Sequence, residues 1–236
     1  MSARTKLDSY SPSPKWLRYV LSYLSLFLGS ILTKIKVKGR RHIPEKGPYI
    51  VAINHFSMVD PAFVVYALQR PVTFLAASDQ EMPWFYKWAA WLYGFIPTNR
   101  TRLAPSTIKQ AKKVLQNKDI LGIFPEGTST DQVIRCAKRG VVYLSTIDNT
   151  PILPVGISGL EHVWINWFKG NRPTVRIEIG KPFQPYDNAQ NNAAKDRHID
   201  LIGEIVMCRI AALLPEIAHG AFKHDERILQ FNKENQ

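Results

Sequence analysis

A chain of 236 residues with 45% hydrophobic content suits one compact domain with a sizeable core and excludes a disordered chain. Its 31 Lys and Arg against 19 Asp and Glu give a formal charge of +12, which favours an anionic partner: a membrane surface, nucleic acid, or an acidic substrate or carrier. Cys136 and Cys208 are the only cysteines, which excludes a disulfide framework and a Cys-x-x-Cys zinc site and fits a reducing compartment.

Residues 1–14 are polar, are broken by Pro12 and Pro14, and read as a disordered lead-in. From Trp16 to about Thr33 the pattern is helical and two-faced. Leu17, Val20, Leu21, Leu24, Leu28 and Ile31 form one side, and Arg18, Ser22, Ser25, Gly29 and Thr33 the other. Fifteen uncharged residues separate Arg18 from Lys34. At the helical rise they span ~22 Å, short of the ~30 Å hydrocarbon core of a bilayer. Basic residues flank both ends, which predicts a helix lying in the interface of an anionic membrane rather than crossing it. The alternatives are a signal peptide, disfavoured because no small-residue cleavage site follows, and a helix packed on its own domain.

Lys34 to Lys38 alternates as a strand, and Tyr49 to Ile53 is a continuous apolar run, hence a buried strand. A helix through Phe63, Val64, Ala67 and Leu68 comes next, then a strand over Val72 to Ala76. Glu81 to Phe95 reads as a strongly aromatic helix carrying Trp84, Trp88 and Trp91. Thr107 to Gln116 is a helix, Ile120 to Phe124 a buried strand, Lys138 to Thr146 a short helix and Ile152 to Ile157 a strand. Trp164 to Phe168 is punctuated by Asn166, Lys169 and Gly170 and is expected to be exposed. Thr174 to Ile179 alternates as an edge strand, His198 to Leu214 is a long helix, and the tail beyond Pro215 is polar. Strands alternating with helices predict an α/β domain with a largely parallel sheet, whose site forms beyond the C-terminal strand ends. Asn54-His55 and Pro125-Glu126-Gly127 both fall at such ends.

His55 and Asp60 are five residues apart. On one ideal helix their side chains diverge by about 140°, so they can meet only with His55 on the turn and Asp60 on the first helical turn. Ser57 suits an N-cap, and Asp60-Pro61 could equally be the cap and first helical position. The pair is then a base with its orienting carboxylate, or merely a capped turn.

Three further stretches accompany Asn54-His55-x4-Asp60: Gly94 to Arg100, Phe124-Pro125-Glu126-Gly127-Thr128, and Leu153-Pro154-Val155. In this order, over residues 34 to 185, the set resembles the lysophosphatidate/glycerophosphate acyltransferase, or PlsC-like, family. The resemblance implies a mixed, largely parallel sheet flanked by helices, of the glycerol-3-phosphate acyltransferase type. It divides the chain into a lead-in with a membrane-associated amphipathic helix (1–33) and an acyltransferase domain with a polar C-terminal tail (34–236). It implies His55 as general base and Asp60 as its orienter, with no metal and no cofactor, the acyl donor being acyl-CoA or acyl-carrier-protein thioester. Arg100, Glu126, Gly127 and Thr128 would bind the acceptor head group, and backbone N–H groups near Gly127 would stabilise the oxyanion. Two cations common in the family are missing: Ser129 stands where an arginine is usual, and Phe74 to Ser78 lacks a lysine. Serine cannot replace an arginine on a phosphate, so Arg100, with Lys138 or Arg139, has to carry that charge, or the acceptor is a different lysolipid.

The expected protein works at the cytoplasmic face of a membrane rich in anionic lipid. It binds a lipid acceptor and an acyl thioester, carried by coenzyme A or by acyl carrier protein, and no nucleic acid, because its aromatics cluster with aliphatics rather than with Lys and Arg. The competing functions are a thioester hydrolase and a catalytically inactive basic membrane-binding protein.

Overall fold

In chain order the elements are helix α1 (Lys15–Leu32), strands β1 (Lys34–Lys38) and β2 (Tyr49–Ile53), helix α2 (Asp60–Leu68), strands β3 (Val72–Ala77) and β4 (Ile96–Thr98), helix α3 (Pro105–Gln116), strand β5 (Ile120–Ile123), helix α4 (Arg139–Ser145), strand β6 (Ile152–Ser158), helix α5 (Val163–Phe168), strand β7 (Thr174–Ile179), and helices α6 (Lys195–Ala211) and α7 (Arg227–Asn235). The computed structural model describes residues 13–77, 92–98, 104–129, 132–145, 149–160, 162–184 and 195–236. Most of the expected aromatic helix, including Trp84, Trp88 and Trp91, lies outside them.

Seven strands form one sheet in the order β1-β7-β6-β2-β5-β3-β4. Every neighbouring pair is parallel except β6 with β7. β2 is central and buried at all five positions. Its side chains alternate between two layers, as strand geometry requires. Ile50 and Ala52 pack with Ala111 and Leu115 of α3 and with Val206 and Ile210 of α6. Tyr49, Val51 and Ile53 face the other layer, with Phe63, Val64 and Leu68 of α2. Gly122 in β5 makes room for a neighbour: a Cβ there would lie 2.4 Å from the Phe74 ring of β3. Because β2, β5, β6 and β3 run the same way, their C-terminal ends share one edge of the sheet.

Three local expectations change. β7 is not an edge strand, since it pairs with both β1 and β6, and its alternation reflects a partly exposed face rather than an open side. The residues beyond Pro215 do more than trail into solvent. Two short 3-10 turns lead into α7, which buries Ile228 and Phe231 in the core and sets the Phe231 ring 4.1 Å from the Arg209 guanidinium. Ser57 and Asp60 do not cap α2. Val59 holds the cap position without a side-chain bond, because the Asp60 carboxylate turns back toward the preceding loop.

Helix α1 packs on the domain with its polar side inward. Arg18 and Ser22 are buried, and Arg18 donates to Thr73 Oγ1 at 2.9 Å and lies 5.2 Å from the Tyr93 ring. Gly29 sits close against Ile35 and the Tyr66 ring. Trp16, Tyr23 and Phe27 on the opposite side are each more than 60% exposed. Among the described residues no helix is long and apolar enough to cross a membrane.

Candidate active site

The turn after β2 is built by three polar side chains that each bind backbone. Asn54 is fully buried and pairs with Ile157 of β6 in both directions, donating Nδ2–H to its carbonyl (2.9 Å) and accepting its N–H at Oδ1 (2.8 Å). A side-chain amide thus extends the β2–β6 ladder past its last strand residue, which fixes where the next residue leaves the sheet. That residue is His55. Its own backbone N–H donates to Glu126 Oε1 at 3.0 Å.

Asp60 opens α2 and is fully buried. Its Oδ2 accepts the backbone N–H groups of Phe56 and Ser57, both at 2.8 Å, and lies 3.0 Å from His55 Nδ1. Its Oδ1 is buried with no hydrogen-bond partner among the described residues. Burial pushes the Asp60 carboxyl above the usual carboxylate range, while His55 and the two backbone donors oppose the rise. A carboxylate oxygen 3.0 Å from Nδ1 favours the tautomer with the proton on that nitrogen, which would leave the lone pair on Nε2.

The His55 ring stacks on Phe124, with centroids 4.3 Å apart. Phe124 in turn stacks on Phe74 at 5.8 Å, and Phe74 meets Phe95 at 5.7 Å. An aromatic column therefore backs one face of the His55 ring. The His55 side chain is still 19% exposed, so the ring is open to solvent on its outer side.

Residues 124–127 turn sharply at the end of β5. Gly127 has φ +70, and its N–H donates to Phe124 O at 2.9 Å. That N–H is spent on the turn, which removes it from the oxyanion donors expected near Gly127. Lys138 N donates to Pro125 O at 2.8 Å, and its side-chain stem crosses Gly127 so closely that a Cβ there would lie 2.9 Å from Lys138 Cδ. Thr128 is half-buried on the same turn, and Ser129 is exposed. Arg139 is paired with Asp200. Arg100 lies outside the described residues, two positions past the end of β4. The structure thus brings His55, Asp60, Glu126, Gly127, Thr128 and Lys138 into one contiguous loop cluster. Among the described residues there is no group of His, Cys, Asp and Glu that could hold a metal.

Sequence reasoning missed the Asn54 bracket, the Phe124 stack and the engagement of Glu126 with backbone. The signal for Phe124 was its place at the C-terminal end of a buried strand, one strand away from His55.

A family model described as acyltransferase matches residues 34–158, more than half of the chain. The chain belongs to the acyltransferase family. The 1-acyl-sn-glycerol-3-phosphate acyltransferase of Bacillus subtilis (strain 168) is 27% identical over 157 residues, covering 66% of this chain and 76% of that enzyme. The enzyme of the same name from Borreliella burgdorferi is 30% identical, over 60% of this chain and 57% of its own. The human alpha form is 29% identical over 62% of this chain, and the match spans 52% of its length. The crystal structure of the 1-acyl-sn-glycerophosphate (LPA) acyltransferase PlsC from Thermotoga maritima superposes with a TM-score of 0.55 at 21% identity, covering 79% of this chain and 78% of that one. At that identity the likeness carries the fold: a mixed, mostly parallel sheet flanked by helices. Within this acyltransferase the matched region runs from β1 to the end of β6 and contains the whole loop cluster around His55.

Proposed function

We propose that this protein transfers a fatty acyl group from an acyl thioester to the free hydroxyl of 1-acyl-sn-glycerol 3-phosphate, giving phosphatidate, at a membrane surface. The observation that carries the reading is the His55 Nδ1 to Asp60 Oδ2 contact at 3.0 Å, set beyond the C-terminal ends of parallel strands in a chain of the acyltransferase family. The names of the bacterial and animal relatives support the acceptor.

In this reading the acceptor hydroxyl gives its proton to His55 Nε2 as its oxygen attacks the thioester carbonyl carbon. Asp60 stabilises the imidazolium that forms. The tetrahedral oxyanion collapses, the C–S bond breaks, and the leaving thiolate takes the proton back from His55. The donor is coenzyme A or acyl carrier protein, and the chemistry asks for no metal or cofactor. Arg100 and Lys138 supply positive charge for the acceptor phosphate, with Thr128 as a hydrogen-bonding group on the same loop. The exposed apolar side of α1 rests on the cytoplasmic face of the bilayer, together with Trp164, Ile165 and Phe168 of α5. Ser129, where the family commonly has arginine, is the observation that favours a second acceptor, a lysolipid with a less charged head group.

The test is turnover of the purified protein in liposomes, with an acyl thioester and a panel of lysolipids, following free thiol and new lipid together. Lysophosphatidate should become phosphatidate, and His55→Ala should lower the rate by about 10²–10⁴-fold. Thiol release without new lipid would mean hydrolysis, and a His55→Ala variant as active as wild type would end the dyad reading.

A further inference from the structure

Glu126 belongs to a stretch whose resemblance points to the acceptor head group, but its surroundings point elsewhere. The side chain is only 3% exposed. Its two carboxylate oxygens reach two different loops: Oε1 accepts the backbone N–H of His55 at 3.0 Å, and Oε2 accepts that of Arg135 at 3.2 Å. A carboxylate is also a poor neighbour for an acceptor phosphate, since like charges repel.

We infer that Glu126 is a positioning residue, a clasp that ties the His55 turn to the 132–138 loop and so sets the distance between the base and the cation on Lys138. The geometry supports a clasp rather than a local turn. His55 and Glu126 are 71 residues apart in sequence and lie on the turns that follow two adjacent strands, β2 and β5. The 132–138 loop is held from its other side by Ile134, which donates to Ala218 O at 2.9 Å and accepts from Ala221 N at 3.4 Å. It ends at Lys138, whose N–H is fixed on Pro125 O and whose stem lies across Gly127. Releasing Glu126 would leave two part-buried backbone N–H donors to find other partners and would let both loops relax. Hydrogen bonds from backbone N–H to an ionised acceptor are the stronger kind, which suits a part whose task is to hold position.

Only the kinetic arm of the test rests on the acyltransferase reading. Glu126→Gln retains one acceptor oxygen but turns an NH2 toward the second backbone N–H. We expect kcat to fall about 10- to 100-fold with the acceptor KM within about twofold, because misplacing a catalytic group by about 1 Å can cost 10² in rate. A head-group ligand would do the reverse, raising the acceptor KM and sparing kcat, and that result would overturn the proposal. The second arm needs no substrate: amide hydrogen exchange, residue by residue, in wild type and variant. Protection at His55 and Arg135 should drop together while β2 and β5 keep theirs. Unchanged exchange at both amides overturns the clasp, even if the variant is slow. If wild type turns over no lipid, the functional reading fails, and the exchange arm still decides Glu126. Should the variant not fold, the wild type decides alone: the amides of His55 and Arg135 must be protected, and fast exchange at either sinks the proposal.

Discussion

Asp60 Oδ2 takes the Phe56 and Ser57 N–H groups and the His55 ring at once, while Oδ1 is buried without a partner among the described residues. The balance falls on the side of burial, so the folded-state pKa lies above the ordinary one. The folded chain therefore holds this proton more tightly than the unfolded chain. The associated stability is fully present below the ordinary Asp value of about 3.9 and is lost as pH rises through the elevated folded value. Asn in its place keeps an oxygen for the backbone donors and has no charge to desolvate. Asp60→Asn should thus gain stability relative to wild type as pH rises from about 4 toward 8, read from denaturant midpoints at each pH. It should also lose activity by about 10³–10⁴-fold, because an amide neither fixes the tautomer nor stabilises the imidazolium. A variant that loses stability relative to wild type over that range would show that the three donors, and not burial, dominate Asp60. The histidine and the aspartate were legible in the chain at this scale. The direction in which the carboxylate turns was not, because either side of a helix start can supply its donors.

Helix α1 reverses the usual arrangement of an amphipathic helix, which buries its apolar stripe in its own domain. Here Arg18, Ser22, Gly29 and Thr33 pack inward, and Trp16, Tyr19, Tyr23 and Phe27 point out. At its C-terminal end it meets α5: Trp167 Nε1 donates to Leu32 O at 3.0 Å, and Arg172 donates to Ser30 O at 2.6 Å. Phe168 is 88% exposed beside this joint. Burying one such side chain in lipid is worth about 1.5–3 kcal/mol. The double substitution Phe27→Asp with Phe168→Asp should therefore weaken liposome binding by well over tenfold and leave the melting temperature within about 2 °C, since neither side chain is part of the core. Co-sedimentation with vesicles and a thermal melt check the two halves. Unchanged binding would show that the outward face meets something other than lipid. The periodicity of α1 was readable from the chain, and so were the two faces. Which face turns inward depended on Thr73, Tyr66 and Tyr93, whose positions are set by the rest of the fold.

Across the whole molecule the charge is +12. Lys34, Lys36, Lys169 and Arg172 are exposed around the joint of α1, β1 and α5, so part of the excess borders the apolar face. Each such cation adds about 1 kcal/mol at an anionic surface, and the gain fades beyond a screening length of about 8 Å at physiological salt. Binding to vesicles with anionic lipid should accordingly fall several-fold between about 0.05 M and about 0.5 M salt, whereas the weaker binding to neutral vesicles should hardly change. Titration of vesicles at each salt concentration makes the comparison. Equal salt response on both lipids would remove electrostatics from the attachment.

The sequence by itself determined the alternation of strands and helices, the buried centre at Tyr49–Ile53, the strand ends where His55 and Glu126 emerge, and the family. All of these are written in local periodicity and in motifs a few residues long. Only the tertiary structure decided that β7 lies inside the sheet, that α1 turns its polar face inward, and that Glu126 holds backbone. It alone paired Asn54 with Ile157, 103 residues away, and Glu126 with His55, 71 residues away. Hydrogen bonds across such separations leave no mark on the local pattern, because any buried polar side chain satisfies the same requirement until the fold chooses its partner.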